Sequence, residues 1–162
     1  MKFTDRHEFD APASKVIKMF SDPDYFSNKY QALGFKNIKV LEQSTDGSDF
    51  SITVRYEAPS DAPIPGFAKK FMGATNLVTQ TDSWNTDSMT GHLQAEIQGL
   101  PAKVSADMEL VDDGDGSANE LSWNINCSVP LIGGKIEKLV AQDIQAKSEA
   151  DLNETRAQLE NY

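Results

Sequence analysis

An α+β fold, a curved seven-stranded antiparallel sheet covered by one long C-terminal helix, is what this 162-residue chain predicts. Three observations carry it. About seven segments alternate apolar and polar residues with the period of two that a half-buried strand requires. Two short helical patterns interrupt the series after its first strand. The strands then give way at Val129-Pro130-Leu131-Ile132-Gly133-Gly134 to one helical pattern running nearly to Tyr162. A sheet with a single buried face needs a cover, and a cup closed in this way has space inside for an apolar molecule.

Taken in order, Phe3, Asp5, His7 and Phe9 alternate with Thr4, Arg6 and Glu8 as the first strand. Ala11-Pro12-Ala13-Ser14 stops it and opens a short helix with Val16, Ile17 and Phe20 on its apolar stripe. Ser21-Asp22-Pro23-Asp24 starts a second helix carrying Tyr25, Phe26, Tyr30 and Leu33, closed by Gly34. Ile38 and Val40 mark the second strand, and Thr45-Asp46-Gly47-Ser48 the turn that follows. Phe50, Ile52, Val54 and Tyr56 share one face of the third strand; Val78, Gln80, Asp82 and Trp84 share one face of the fourth. Leu93, Ala95 and Ile97 mark the fifth, Val104, Ala106, Met108 and Leu110 the sixth, and Leu121 through Val129 at alternate positions the seventh. Such alternation belongs to an antiparallel sheet with one wet and one buried face. In the terminal helix Ile132, Ile136, Leu139 and Val140 form one stripe, while Ile144, Leu152 and Leu159 sit about 100° around from it. Between the third and fourth strands, Ala58 to Gly73 holds three prolines with Phe67, Phe71 and Met72 on one helical face, either a lid or a plug for the sheet's edge.

Composition bounds the class. Residues 1–162 read as one domain, large enough for a core and a small cavity. At 39% apolar residues, with no long apolar run, the chain fits neither the disordered nor the membrane-spanning class. Its N-terminal residues lack a leader's apolar stretch, and a lone Cys127 cannot form an internal disulfide, so a reducing cytoplasm is the expected location. A net charge of −10 gives a surface that repels phosphate backbones and anionic headgroups. Neither nucleic acid nor a membrane is therefore an expected partner, and the acidity serves solubility.

No catalytic residue, metal site or cofactor is expected. Two histidines and one cysteine offer no zinc spacing. The acidic turn with Asp113, Asp115 and Ser117 has Asn124 where a calcium loop needs a bidentate Glu, and it reads as a hairpin. Gly133-Gly134 lacks the Lys-Ser/Thr of a phosphate loop, and no Gly-x-Ser-x-Gly elbow occurs. Cys127 is in phase with Leu121, Trp123 and Ile125, which makes it a core residue. His92 lies on a polar face. More telling are Asp5 and His7, in phase with Phe3 and Phe9, and Asp82, in phase with Val78 and Trp84. An ionisable group on an apolar face is costly unless paired or wetted. These either satisfy each other or address the polar end of a ligand.

The element order over the whole chain resembles the START-like superfamily, the helix-grip or polyketide cyclase fold. Its local carriers are Phe9-Asp10-Ala11-Pro12-Ala13-Ser14-Lys15-Val16 with Ser21-Asp22-Pro23. More narrowly, Thr81-Asp82-Ser83-Trp84, the turn Gly99-Leu100-Pro101, and Val129-Pro130-Leu131-Ile132-Gly133-Gly134-Lys135-Ile136-Glu137 are similar to a bacterial family of uncharacterised proteins within it. The resemblance implies a pocket for a lipid or polyketide-like ligand and carries over no catalytic residue. The expected function is binding or transport of a hydrophobic small molecule between sheet and helix. Expected lining residues are His7, Tyr56, Phe67, Phe71, Met72, Asp82, Trp84, Leu93, Met108, Trp123, Ile136 and Val140. Two other readings stand beside it. One is a cyclase or dehydratase-type enzyme, which needs a polar pair of perturbed protonation in the pocket. The other is a protein-interaction module using the acidic surface or the outer side of the helix.

Overall fold

The computed structural model describes residues 1–162. It runs β1 (Lys2–Phe9), α1 (Ala13–Phe20), α2 (Pro23–Ala32), β2 (Lys36–Asp46), β3 (Asp49–Pro59), β4 (Thr75–Asn85), β5 (Thr90–Ile97), β6 (Ala102–Asp113), β7 (Gly116–Cys127) and α3 (Gly133–Leu159), with a 3-10 turn at Gly66–Ala68. The strands form one antiparallel sheet in the order β1-β7-β6-β5-β4-β3-β2. Sequence neighbours pair throughout, except that β1 joins β7, with Asp5 opposite Leu121 and His7 opposite Asn119.

Local chemistry explains the boundaries. The N–H of Ala13 at the start of α1 donates to the Asp112 carboxylate at 2.8 Å, so a β6 side chain does the capping that Pro12 cannot. Asp22 caps α2 by accepting from Asp24 N–H at 3.0 Å, and Pro23 opens the first turn. Gly34, at φ 79°, ends α2 in a Schellman motif, with Phe35 N–H bonded to Tyr30 C=O and Gly34 N–H to Gln31 C=O. Asp113 and Gly116 pair across a two-residue hairpin in which Gly114 takes φ 60°. Before α3 the chain reverses through Leu131, at φ 69°. Gly133 then passes under the end of β7, where an added Cβ would lie 2.5 Å from the Cys127 carbonyl oxygen.

The inner face alternates as expected in β3, where Phe50, Ile52, Val54 and Tyr56 are buried, and in β6 and β7. The outer strand β2 departs from expectation. Register shifts between Lys36 and Lys39 and between Val40 and Glu42 break its period, leaving Val40 and Leu41 exposed. A bulged, charged edge resists pairing with another chain.

Burial falls into two clusters rather than one core under α3. The larger joins α1 and α2 to the inner face through aromatics: Phe20 stacks on Trp84 at 5.1 Å, Tyr30 meets Tyr56 at 4.5 Å, and Phe26 stacks on Phe50 at 6.1 Å. The smaller packs Ile136, Leu139 and Val140 of α3 against Val104, Ile125, Cys127, Ala68 and Met72. The cover is thus shared between the short helices and the ends of α3. Spanning about 40 Å at 1.5 Å per residue, α3 buries residues up to Asp143 and again from Thr155, with none buried between. Its middle bridges open space. No helix is long and apolar enough to cross a membrane.

Candidate functional site

Between the two clusters lies a cavity of about 440 Å³, and 21 of its 34 lining residues are hydrophobic. A second hollow of about 820 Å³ is an open, mostly polar groove on the outer face beside the Gly99–Pro101 turn, with Arg55, Glu96 and Lys103 on its walls. Depth and apolar lining make the inner cavity the candidate.

The strand phase sets most of its floor. Tyr56, Asp82, Trp84, Leu93, Met108 and Trp123 line it from β3 to β7, His7 from β1, Met72 from the loop and Val140 from α3. Three of the expected residues lie elsewhere. Ile136 is fully buried in the smaller cluster, one helical turn below Val140. Phe67 is exposed on the 3-10 turn beneath the Lys135 ammonium, 5.8 Å from its ring centre, and Phe71 packs at the rim of the smaller cluster. The segment makes a single 3-10 turn at Gly66–Ala68, so Phe67 does not share the face of Phe71 and Met72, which both pack in the smaller cluster. The loop is fastened to the helix by Asp143, whose carboxylate accepts from the N–H groups of Asp61 at 2.7 Å and Ala62 at 3.1 Å and from Lys147 at 2.7 Å.

Two groups of wall residues lie outside the sequence expectation. The first is Tyr25, Phe26, Lys29 and Tyr30 of α2, which close one end. The second is a polar stripe on the inner side of α3: Lys147, Ser148, Asp151 and Thr155. Spaced three and four apart beyond Ile144, they occupy one helix face. That regular spacing is the available signal, but polar positions carry it, and a search for apolar stripes passes over them.

The polar groups fall into two sets. At the α2 end, Lys29 Nζ lies 3.1 Å from Asp151 Oδ1, with the rings of Tyr25 and Tyr30 at 5.2 and 5.4 Å. Burial works against the Lys29 charge, but attraction to Asp151 and to Asp82 outweighs it and holds the ammonium protonated above its ordinary range. A hydrogen-bond chain crosses the floor: Tyr56 hydroxyl donates to Gln80 Oε1 at 2.8 Å, and Gln80 Nε2 donates to Asp82 Oδ2 at 2.9 Å. Burial pushes the Asp82 carboxyl up to about 6, although the Gln80 bond and Lys29 pull the other way. Burial likewise raises the Tyr25, Tyr30 and Tyr56 hydroxyls.

At the β1 side, Ser148 hydroxyl donates to Asp5 Oδ2 at 2.6 Å, and His7 Nε2 stands 3.1 Å from that oxygen and 3.2 Å from Ser148 Oγ. Burial alone would raise Asp5, yet these hydrogen bonds and the charge interaction with His7 bring it below its ordinary value. Ser, His and Asp meet here without forming a nucleophile relay, because serine and carboxylate share one ring nitrogen and the serine proton is given to the aspartate. The in-phase polar residues therefore divide into two kinds. Asp5 and His7 satisfy one another with Ser148, whereas Asp82 is bonded only through Gln80.

Three buried side-chain polar atoms have no protein partner: Tyr30 Oη, Asn119 Oδ1 and Trp123 Nε1. All three belong to residues of the cavity wall. Buried groups without a bond are rare enough that their gathering at one site calls for a reason.

The family model described as "Protein of unknown function (DUF2505)" matches residues 4–158. No curated protein matches the sequence. Among solved structures, the Zhui aromatase/cyclase from Streptomyces sp. R1128 is similar, with a TM-score of 0.67 at 13% identity over 99% of this chain and 93% of that one. A START superfamily protein from Mycobacterium smegmatis gives a TM-score of 0.58 at 13% identity over 99% and 97% of the two chains. A protein from Thermus thermophilus, TTHA0849, gives 0.68 at 15% identity over 98% and 97%. With the strand order above, these likenesses show a START-like, helix-grip fold.

Proposed function

The chain belongs to the DUF2505 family of proteins of unknown function, and on that footing we propose that it binds or carries a hydrophobic small molecule, lipid or polyketide-like, in the cavity between sheet and α3. One observation carries the reading: a cavity of about 440 Å³ with mostly hydrophobic walls sits where two separate cores fail to meet. That volume falls in the range of about 300–1,000 Å³ used for small ligands. Affinity comes from apolar surface leaving water, at about 25 cal/mol per Å². The fold's occurrence in an aromatase/cyclase lends support, since such a protein must house a substrate. A cytoplasmic location, checked by cell fractionation, is part of the same proposal.

Both tryptophans, Trp84 and Trp123, stand on the wall, so the protein carries its own reporter. Delipidated protein is expected to bind an environment-sensitive apolar dye and to change its tryptophan emission as it does so. Native mass spectrometry of freshly purified protein is expected to show a small-molecule adduct. If no apolar probe binds and the emission is unmoved by all of them, the proposal fails.

A cyclase or dehydratase-type enzyme is the second reading, favoured by the displaced protonation of Asp82 beside Lys29 within the cavity. Its mark is turnover: a bound polyketide-like compound recovered with a changed mass or absorbance, and no change with Asp82→Asn.

A further inference from the structure

The charges at the α2 end of the cavity do not cancel. Asp82 and Asp151 are two carboxylates facing one ammonium, Lys29, and no other cation acts on Asp82 there. Lys29 is committed to Asp151 at 3.1 Å and boxed by two tyrosine rings. Asp82, only 6% exposed, takes a single hydrogen bond, on Oδ2 from Gln80. Its other oxygen, Oδ1, receives none. The remaining groups facing this trio, Tyr25, Tyr30 and Tyr56, are all neutral phenols. A net negative charge therefore stands at this end of the cavity, with Asp151 partly exposed and Asp82 buried, where an uncompensated charge is costly.

A second observation points the same way. Tyr30 Oη, on a residue 2% exposed, has no partner although it borders the cavity. Around it the rings of Tyr30, Tyr56 and Phe35 lie within 4.5 to 5.8 Å of one another. All three residues line the cavity, so its end here is aromatic.

Resting on the reading of the cavity as a ligand site, we infer that the ligand is a hydrophobic amine, an apolar body whose protonated nitrogen sits against Asp82 Oδ1 with Tyr30 Oη as a second acceptor. One positive charge brings the Asp82–Lys29–Asp151 group to neutrality. An alcohol supplies a donor and leaves the charge in place. A carboxylate adds a second negative charge to the first, so anionic lipids are the poorest fit.

The test is a matched series of octylamine, octanol and octanoate, titrated into the full, delipidated chain and followed by tryptophan emission and calorimetry. The amine is expected to bind about tenfold or more tightly than the alcohol, and the carboxylate most weakly. In Asp82→Asn the amine-to-alcohol ratio is expected to fall to about one. Asp151→Asn neutralises the trio by a different route and is expected to do the same, which checks the charge count independently of Asp82. If alcohol and amine bind alike to the wild type, or the preference survives in both variants, the amine inference is overturned while the cavity reading stands. If none of the three binds, both are overturned.

Discussion

Replacing Asp82 by Asn is expected to make the protein more stable near neutral pH, and the gain can be sized. The carboxyl moves from an ordinary 3.8 to about 6 on folding, because burial outweighs the Gln80 hydrogen bond and the Lys29 charge. A displacement of roughly two units corresponds to about 3 kcal/mol at 1.36 kcal/mol per unit. Its sign follows from proton binding. Between 3.8 and about 6 the folded protein holds a proton that the unfolded chain has released, so the Asp82 contribution improves as pH falls through that window. Above about 6 the folded state carries the full cost of a buried charge. Asn imitates the protonated acid and can still accept from Gln80 Nε2. Urea unfolding is therefore expected to find Asp82→Asn more stable by up to about 3 kcal/mol near pH 7, shrinking below about 1 kcal/mol near pH 4. Groups with depressed values, such as Asp5 and Glu137, titrate in both proteins and drop out of the difference. Parallel stability curves for the two proteins, or a variant weaker at neutral pH, would refute the reasoning. A carboxylate kept at such a cost in a cavity wall is the pattern of a residue retained for function.

Further outcomes follow from neighbouring contacts. Lys29→Met leaves buried Asp82 without its cation beside a partly exposed Asp151, so urea unfolding is expected to show a loss of about 1–3 kcal/mol. Asp143→Ala leaves the amides of Asp61 and Ala62 without their acceptor; a loss of about 1–3 kcal/mol is expected, with faster hydrogen exchange confined to those two amides. Gly91→Ala would put a Cβ 2.7 Å from the Trp84 ring, so that ring must shift. A stability loss of about 1–3 kcal/mol and a displaced tryptophan emission are expected.

Much of the fold is legible because strand phase is a local property. In β3 and β6 every second residue meets the interior, so alternation alone sorts inner from outer side chains. Tyr56, Asp82, Trp84, Met108 and Trp123 reach the cavity wall through the same phase. It fails in β2, where two register shifts reset the period and solvent bathes both faces. Phe67 and Phe71 depart from expectation because a proline-rich loop has no period from which to infer direction. Lys29 is hidden for a different reason. Its partner Asp151 lies on another helix far along the chain, and nothing near either residue encodes the meeting. The orphaned Asn119 lies in the polar opening of β7, Ser117-Ala118-Asn119-Glu120, ahead of the apolar alternation that begins at Leu121, so nothing nearby marks it as inward-facing.

The order of the sheet has a consequence for how the molecule is made. β1 is made before the other six strands of the sheet, yet its only neighbour is β7, with Phe3 waiting for Trp123 and Phe9 for Ser117. Every other pairing joins consecutive strands and can form as they emerge. Closing so large a span is entropically late and slow. Until it happens the inner side of β7 and the stacked pair Phe3–Trp123 stay apart, leaving sticky surface on a nascent chain. Docking of the opening segment is thus the natural final step of assembly, and the same event that completes the fold walls off the chamber on its His7 side.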